Sequence, residues 1–174
     1  MKTIKVPFTV AGLDEAIKQI DAYKQSLALK CQELATRIAQ VITWSAQNGF
    51  NTALAEDLIH EEGRTANVTV DAEADGSLIV VIARGKDAVF VEFGAGVYNN
   101  GTVGSSPNPN GEKLGFTIGS FSSHAPDKKA WGFRETEDGP LHLTHGTPAA
   151  MPMYRGVQEA KQMMLQLARE VFSA

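Results

Sequence analysis

Few residues of this chain are of types that could carry out chemistry, and the first is Glu92, a carboxylate inside the apolar run AVFVEFG. A fully desolvated carboxylate has a raised pKa, as a general acid needs. In a β-strand, however, side chains alternate between two faces, and no histidine, serine or second carboxylate stands nearby to complete a catalytic group. We therefore expect Glu92 to be structural, accepting hydrogen bonds from turn amides near Gly94 and Gly96 or from an arginine.

A metal site would have to use the histidines of HLTH, residues 142–145. On a strand, His142 and His145 would point to opposite faces, and carboxylate ligands would have to come from elsewhere in the chain. The alternative function that these residues leave open is a small metal-dependent hydrolase using Glu92, His142 and His145. The favoured interpretation is a pair of loop histidines, with neither a metal nor another cofactor.

The other motifs do not predict a catalytic, nucleotide or nucleic-acid site. The glycines of GAGVYNNGTVG lack the lysine of a phosphate-binding loop and the strand and helix order of a dinucleotide site. Cys31 is the single cysteine, and its place on an apolar helix stripe predicts a small core residue. The formal net charge is -4, and three acidic residues follow Trp131 and Phe133, which argues against nucleic-acid binding. This surface without chemistry favours a component of an assembly.

The composition is that of a soluble globular protein. The chain has 174 residues, of which 43% are hydrophobic and 21% charged, enough for one real core but too few for two comfortable domains. No apolar run approaches the roughly 18 residues of a membrane helix, and the N-terminus lacks the pattern of an export signal. We expect a single domain over residues 1–174 that stays in the cytoplasm.

Two helices are predicted, one toward each end. From residue 13 to residue 45, mostly apolar residues recur at a spacing of four and three, and Asn48-Gly49 is a suitable stop. A rod of that length would measure roughly 50 Å, longer than the domain is wide, so part of its apolar stripe should project toward a partner. After Pro152 a stripe of the same spacing predicts a C-terminal helix that packs on the first helix or on the sheet: Met153, Val157, Ala160, Met164, Leu167 and Val171.

Strands are predicted in three places. Residues 2–10 read as an edge strand, residues 65–84 as a β-hairpin that turns at Asp75-Gly76, and AVFVEFG as a strand that ends at a glycine. The run LIVVIA (78–83) is typical of a strand buried on both faces. The predicted class is therefore α+β, an antiparallel sheet with a β-hairpin packed against a long N-terminal helix and a C-terminal helix.

A long Gly/Pro-rich loop interrupts this fold. Residues 94–152 hold ten of the 16 glycines and six of the seven prolines. A compact domain has little use for so long a connection, so residues 95–147 are predicted to form an arm that a neighbouring subunit orders. Aromatic side chains in or near this arm are predicted interface anchors, namely Phe116, Phe121, Trp131, Phe133 and Tyr154.

This order of elements resembles the tail-component family of long-tailed bacteriophages, which covers tail-completion and head-to-tail joining (neck) proteins. Its aromatic-x-Glu-Phe-Gly signature is matched by Phe90, Glu92, Phe93 and Gly94. Its closing Ala-x-Pro-Phe stretch is matched within HGTPAAMPMYRGVQEA by Ala150, Pro152 and Met153, with methionine in place of the usual phenylalanine. Ala95 stands where the family commonly has threonine.

The resemblance implies a non-enzymatic virion protein without a cofactor, assembled as a ring, expected to be hexameric, between the tail tube and the head connector. Its partners would be other copies of itself and other neck and tail proteins, with no membrane and no specific nucleic acid. It would lie in the host cytoplasm during assembly and then in the neck or tail of the virion. A tail-tube or tail-terminator protein, which would share the ring but not the position, is a further possibility.

Overall fold

The computed structural model of the protein describes residues 6–55, 68–75, 78–94, 106–114, 131–134, 136–144 and 148–173. The predicted α+β class, with a hairpin between a long N-terminal and a C-terminal helix, is confirmed. In these described residues no helix is long and apolar enough to cross a membrane. The elements in chain order are α1 (Val10–Ala55), β1 (Thr69–Asp75), β2 (Leu78–Arg84), α2 (Ala88–Phe93), a 3-10 turn (Glu112–Leu114), β3 (Trp131–Phe133), β4 (His142–Thr144) and α3 (Pro152–Ser173).

The helix α1 begins directly after Thr9, which caps it. The Thr9 hydroxyl accepts a hydrogen bond from the Gly12 amide at 3.1 Å, and its carbonyl accepts one from the Leu13 amide at 3.0 Å. Threonine is among the side chains that commonly satisfy the free amides of a first helical turn. The strand predicted for residues 2–10 is therefore wrong over residues 6–10, and its remainder lies outside the described residues.

The helix α1 does not stop at Asn48-Gly49 as predicted but continues to Ala55. Gly49 is needed for packing, because a Cβ there would lie only 2.8 Å from the Cβ of Pro152, the first residue of α3. Farther along the same contact, a Cβ on Gly156 would lie 3.0 Å from the Ile42 carbonyl oxygen. Two glycines thus let the backbones of α1 and α3 approach closely, and a Cβ at either position would force neighbouring atoms to shift.

The helices α1 and α3 pack against each other, one of the two arrangements that the sequence predicted, and they run antiparallel. Gly49 meets the start of α3, whereas Arg37 donates a hydrogen bond from Nη1 to Oε2 of Glu170, near its end, at 3.2 Å. Because α3 ends at Ser173, the stretch of α1 before about residue 32 extends past it. With 46 residues, α1 is about 69 Å long, and it projects from the body as its length predicted.

The core packs against the C-terminal half of α1, where the fully buried Phe50 lies between the small residues Ala46 and Ala53. Cys31, predicted to be a core residue, is exposed, because α3 does not reach that far along α1. Met164, predicted on the buried stripe of α3, is also exposed. The core cluster consists of Ala46, Phe50, Ala53, Val68, Val70, Ala88 and Val91, against which Val81, Ala83, Ala150 and Met153 pack.

The predicted hairpin β1-β2 is present and antiparallel, with Thr69 paired to Arg84. Asp75 pairs with Leu78, so β1 ends one residue later than the predicted turn at Asp75-Gly76 implies. The prediction that β2 is buried on both faces is wrong, because the described sheet has only these two strands and Leu78 is 60% exposed. The outer edge of β1 is covered by the Gln47 side chain of α1. Nε2 of Gln47 donates to the carbonyl of Val68 at 2.9 Å, and Oε1 of Gln47 accepts from the Val70 backbone amide at 2.8 Å. The Gln47 side chain therefore takes the place of a neighbouring strand.

The run AVFVEFG is a helix, α2, and not the strand that its sequence predicted. β-Branched and aromatic residues fit a half-buried strand, but strand propensity depends on context and yields to tertiary packing. As a helix the segment buries Ala88, Val91 and Glu92 on one face, a spacing of three and four residues. The argument that strand alternation separates Glu92 from its neighbours is therefore wrong.

The predicted arm contains a second small hairpin, β3-β4, in which Trp131 pairs with Thr144 and Phe133 pairs with His142. The sequence did not predict this pairing. Each strand has three residues, which is too short for the alternation pattern to be visible in a segment rich in glycine and proline. Residues 95–105, 115–130, 135 and 145–147 of the arm lie outside the described residues.

Replacing Gly49 with alanine should destabilise the protein, because the added Cβ collides with Pro152. We expect a loss of about 1–3 kcal/mol in the free energy of unfolding, even though alanine is the better helix former. The control is Asn48→Ala, a helix-favouring change at the adjacent exposed position, which should be neutral or slightly stabilising. Urea denaturation followed by circular dichroism measures both, and a Gly49→Ala variant as stable as Asn48→Ala would contradict the packing argument.

Candidate functional site: the Glu92 junction and the adjoining groove

Glu92 lies on the buried face of α2, only 7% exposed, with its carboxylate against the N-terminus of α3. Its Oε2 accepts a hydrogen bond from the Met153 amide at 2.8 Å, and its Oε1 accepts one from the Tyr154 amide at 3.0 Å. The first amides of a helix have no partner within the helix, and the helix dipole makes that end attractive to a negative charge. Glu92 therefore caps α3 from a different part of the chain.

Every backbone position in the first turn of α3 is accounted for. Pro152 has no amide hydrogen, Met153 and Tyr154 donate to Glu92, and the Arg155 amide donates to the Met151 carbonyl at 2.9 Å. Met151 has a φ of 55°, a left-handed conformation that is uncommon for methionine, directly before the proline. The segment before α3 is thus held in an unusual conformation that presents its amides to one carboxylate.

A loop after α2 supplies the third partner of Glu92. The Asn108 side-chain amide donates to Oε1 at 2.8 Å, and Asn108 is 3% exposed. Two more hydrogen bonds hold this loop in place. The backbone amide of Asn108 donates to the Ser106 hydroxyl at 3.2 Å, and that hydroxyl donates to the Phe93 carbonyl. Asn108 was missed by the sequence analysis. The only signal was a polar side chain in the turn-rich stretch SSPNPN.

The carbonyl end of α2 is tied to the same segments. The Val91 carbonyl accepts from the Ala150 amide at 2.9 Å, and the Phe90 carbonyl accepts from the Gly94 amide at 2.8 Å. Gly94 is buried and has a φ of 80°, a conformation that favours glycine. Glu92, Gly94 and the segment before α3 therefore form one hydrogen-bonded unit, which we call the Glu92 junction.

Burial raises the pKa of Glu92 above its ordinary value of 4.5. The hydrogen bonds from Met153, Tyr154 and Asn108 and the positive charge of Arg155 act in the opposite direction and lower that pKa. Since each of the three donors favours the ionised carboxylate, the loss of any one of them should raise the pKa further.

An open groove of about 820 Å³ runs beside the junction, between β2, α2 and α3. Its walls are mainly apolar, and Lys113 and Lys161 bring positive charge to it. Glu92 and Asn108 lie along it, but their polar atoms face each other and the amides of α3. The apolar lining includes Phe50, Val81, Ala83, Ala88, Val89, Leu114 and Met153.

The remaining predicted site residues are spread over several places. Tyr154 is half-buried and lines the groove. Trp131 and Phe133 lie on β3 and His142 on β4, whereas Phe116, Phe121 and His145 fall outside the described residues. Within the described ranges, no group of three or more His, Cys, Asp and Glu side chains is placed to hold a metal ion.

The two segments that carry the resemblance to phage tail components meet at the Glu92 junction. Phe93 is half-buried and Phe90 is 41% exposed on α2, whereas Pro152 is fully buried and both Ala150 and Met153 pack against the core. Comparisons of the chain with protein-family models, with curated proteins and with solved structures find no match.

Replacing Glu92 with glutamine should destabilise the fold. Glutamine has one acceptor oxygen, which can keep the hydrogen bonds from Asn108 and Tyr154. Its NH₂ group would then face the Met153 amide, and two donors would meet without an acceptor. We expect a loss of about 2–3 kcal/mol, because a buried donor is left without a partner. Glu137→Gln, the same change on an exposed residue, is the control and should have little effect in thermal denaturation. Equal melting temperatures for the two variants would contradict the capping role.

Removing the Asn108 side chain should raise the pKa of Glu92 beyond its value in the unchanged protein, because one donor to the carboxylate is lost. The carboxyl carbon of Glu92, followed by NMR through a pH titration, reports this pKa directly. Asn110→Ala, on the same loop but without a side-chain bond to Glu92, is the control and should leave it unchanged.

The raised pKa of Glu92 determines how its contribution to the free energy of unfolding changes with pH. The folded protein binds this proton more tightly than the unfolded chain does, so the contribution of Glu92 is complete below about pH 4.5 and declines as the pH rises through the raised pKa. In Asn108→Ala this decline should extend to higher pH. A Glu92 that titrates at or below 4.5 in the unchanged protein would overturn this prediction.

Proposed function

We propose that this chain is a non-enzymatic virion assembly protein of a long-tailed bacteriophage, a tail-completion or head-to-tail joining component that forms a ring at the neck. In this proposal the ring is hexameric, and its partners are other copies of the chain and the neighbouring neck and tail proteins. The protein would be made in the host cytoplasm and would end in the virion.

The observation that carries the proposal is the Glu92 junction. The two sequence segments on which the resemblance rests are about 60 residues apart, and nothing in the sequence requires them to touch. They meet through four hydrogen bonds, two from α3 amides to Glu92 and two from the Ala150 and Met151 amides to the Val91 carbonyl. A signature whose members act together as one structural unit supports family membership more strongly than scattered letters do.

The bonding of Glu92 also supports a structural role over the hydrolase alternative. A general acid or base must reach a substrate proton with one of its oxygens. Oε1 already accepts from Asn108 and Tyr154, and Oε2 accepts from Met153. These bonds order the chain around the carboxylate instead of leaving it directed into the groove, and no contact of the described residues favours the hydrolase.

The exposed surfaces of the protein suit contacts with other subunits. On α2, Val89 and Phe90 are 43% and 41% exposed. The 3-10 turn exposes Leu114, which lines the groove between β2, α2 and α3 together with Val89. The strand β2 has no neighbour on its outer edge in the described sheet, and Leu78 and Val80 are exposed along it. Large apolar surfaces and free strand edges are costly in water, so a subunit that keeps them is suited to bury them against a partner.

The direct test is to delete the gene from the phage or prophage that encodes the chain and to image the particles by electron microscopy. We expect full heads and finished tails that are not joined, because the missing part lies between them. Expression of the unchanged protein from a plasmid should restore joined, infectious particles, which controls for effects on neighbouring genes.

Other outcomes decide between the alternatives. Missing or overlong tails would replace the joining role with a tail-tube or tail-terminator role, and normal particles would contradict a virion function. A purified protein that is strictly monomeric and carries a stoichiometric metal would favour the hydrolase instead.

A further inference from the structure

The projecting part of α1 carries an apolar stripe that the described part of the chain leaves uncovered. Its aliphatic members are between 40% and 57% exposed, and they lie beyond the end of α3. The spacing alternates between four and three residues, which is the seam of a coiled coil. The stripe, named here the α1 seam, consists of Leu13, Ile17, Ile20, Lys24, Leu27 and Cys31.

The α1 seam is symmetric about Ala22 when one copy of the helix is reversed against another. In that arrangement Ile17 lies opposite Leu27 of the second copy, and Leu13 lies opposite Cys31 of the second copy. Every position of the seam then faces another position of the seam, with no residue left over. An antiparallel second copy therefore completes the seam from end to end.

The charges of the seam favour this direction over a parallel pair. In parallel, Lys24 would face Lys24 of the second copy within the apolar layer, which places two like charges together. In the antiparallel arrangement, the stem of Lys24 covers Ile20 of the second copy. Its ammonium group then lies beside Asp21 of that copy, which borders the seam one residue away. The two lysines and two aspartates alternate around the centre of the contact.

We propose that two copies of this chain pair through their projecting α1 helices, antiparallel and centred on Ala22. The contact uses the same surface on both copies, so it closes on two subunits and cannot build a ring by itself. It leaves the groove beside Glu92 and the outer edge of β2 free for other contacts. The inference depends only on the α1 seam and stands or falls separately from the proposed phage function.

Cysteine crosslinking tests the direction of the pair, because Cys31 is the single cysteine of the chain. In the antiparallel pair the two Cys31 residues are about 27 Å apart, so the unchanged protein should not form a disulfide-linked dimer under mild oxidation. Leu13→Cys places a thiol opposite Cys31 of the second copy and should give a covalent dimer. The double variant Leu13→Cys, Cys31→Ser should not form the covalent dimer. That result would show that the disulfide joins residue 13 of one copy to residue 31 of the other.

Gln19→Cys, on the outward face of the same helix, is the matched control and should not crosslink. A disulfide through Cys31 in the unchanged protein would indicate a parallel pair and would overturn the proposal. The absence of any crosslink in Leu13→Cys would overturn it as well. If the protein forms a larger assembly, covalent dimers from Leu13→Cys within it still support the pair.

The strength of the pair is tested by Ile17→Glu, which places a charge in the seam opposite Leu27 of the second copy. Sedimentation velocity should find the unchanged protein as a dimer at high concentration and Ile17→Glu at half that mass. Ile17 is 57% exposed and lies outside the core, so the variant should keep its helical circular dichroism and melt cooperatively. Gln19→Glu adds the same charge on the outward face and should remain a dimer. An unchanged protein that is monomeric at every concentration would overturn the proposal.

Discussion

The carboxylate of Glu92 is the interaction on which the arrangement of this protein depends. A helix that starts in the middle of a folded chain has free amides at its N-terminus, and burying them without partners costs free energy. Here α2 delivers one buried carboxylate to the Met153 and Tyr154 amides of α3. Because that bonding fixes where α3 begins, it also fixes which face of α3 meets α1.

The same constraint explains why small residues lie where the two long helices meet. Once the start of α3 is set by Glu92, Pro152 is placed against α1, and only glycine at position 49 leaves room for it. Gly156 repeats this close approach farther along. Among the described residues, this contact lies on the C-terminal half of α1. Stability therefore resides around Phe50, whereas the projecting half remains available for binding.

The protein thus separates its structural core from its exposed surfaces. The buried polar groups of the junction are hydrogen-bonded to one another, as buried groups must be, and are occupied in holding the fold. The exposed features are apolar instead: the α1 seam, the groove between α2 and α3, and the outer edge of β2. In the proposed assembly, the α1 seam would pair two identical copies, and the other two surfaces would contact further subunits of the ring. This separation of a hydrogen-bonded core from exposed apolar surfaces is consistent with the proposal that the protein is a subunit of an assembly.

The sequence by itself determined the elements whose signals are local. The spacing of apolar residues and the position of Pro152 predicted both long helices, and β-branched runs around a turn predicted the β1-β2 hairpin. The sequence also predicted that Glu92 accepts hydrogen bonds, but from turn amides near Gly94 and Gly96 or from an arginine, whereas the donors are Met153, Tyr154 and Asn108. Length alone indicated that α1 would extend past the body, because rise per residue is a property of any helix.

Tertiary structure decided what local signals cannot carry. The run AVFVEFG has the residues of a strand but forms α2, because a helix can bury Val91 and Glu92 on one face toward α3. Gly49 resembles a helix stop, yet it lies inside α1 since its missing side chain makes room for Pro152. Asn108 is marked in the sequence only as a polar residue in a turn-rich stretch, which does not identify its partner. Its role exists only because a carboxylate 16 residues earlier needs one more donor, and such a pairing across space leaves no local pattern in the chain.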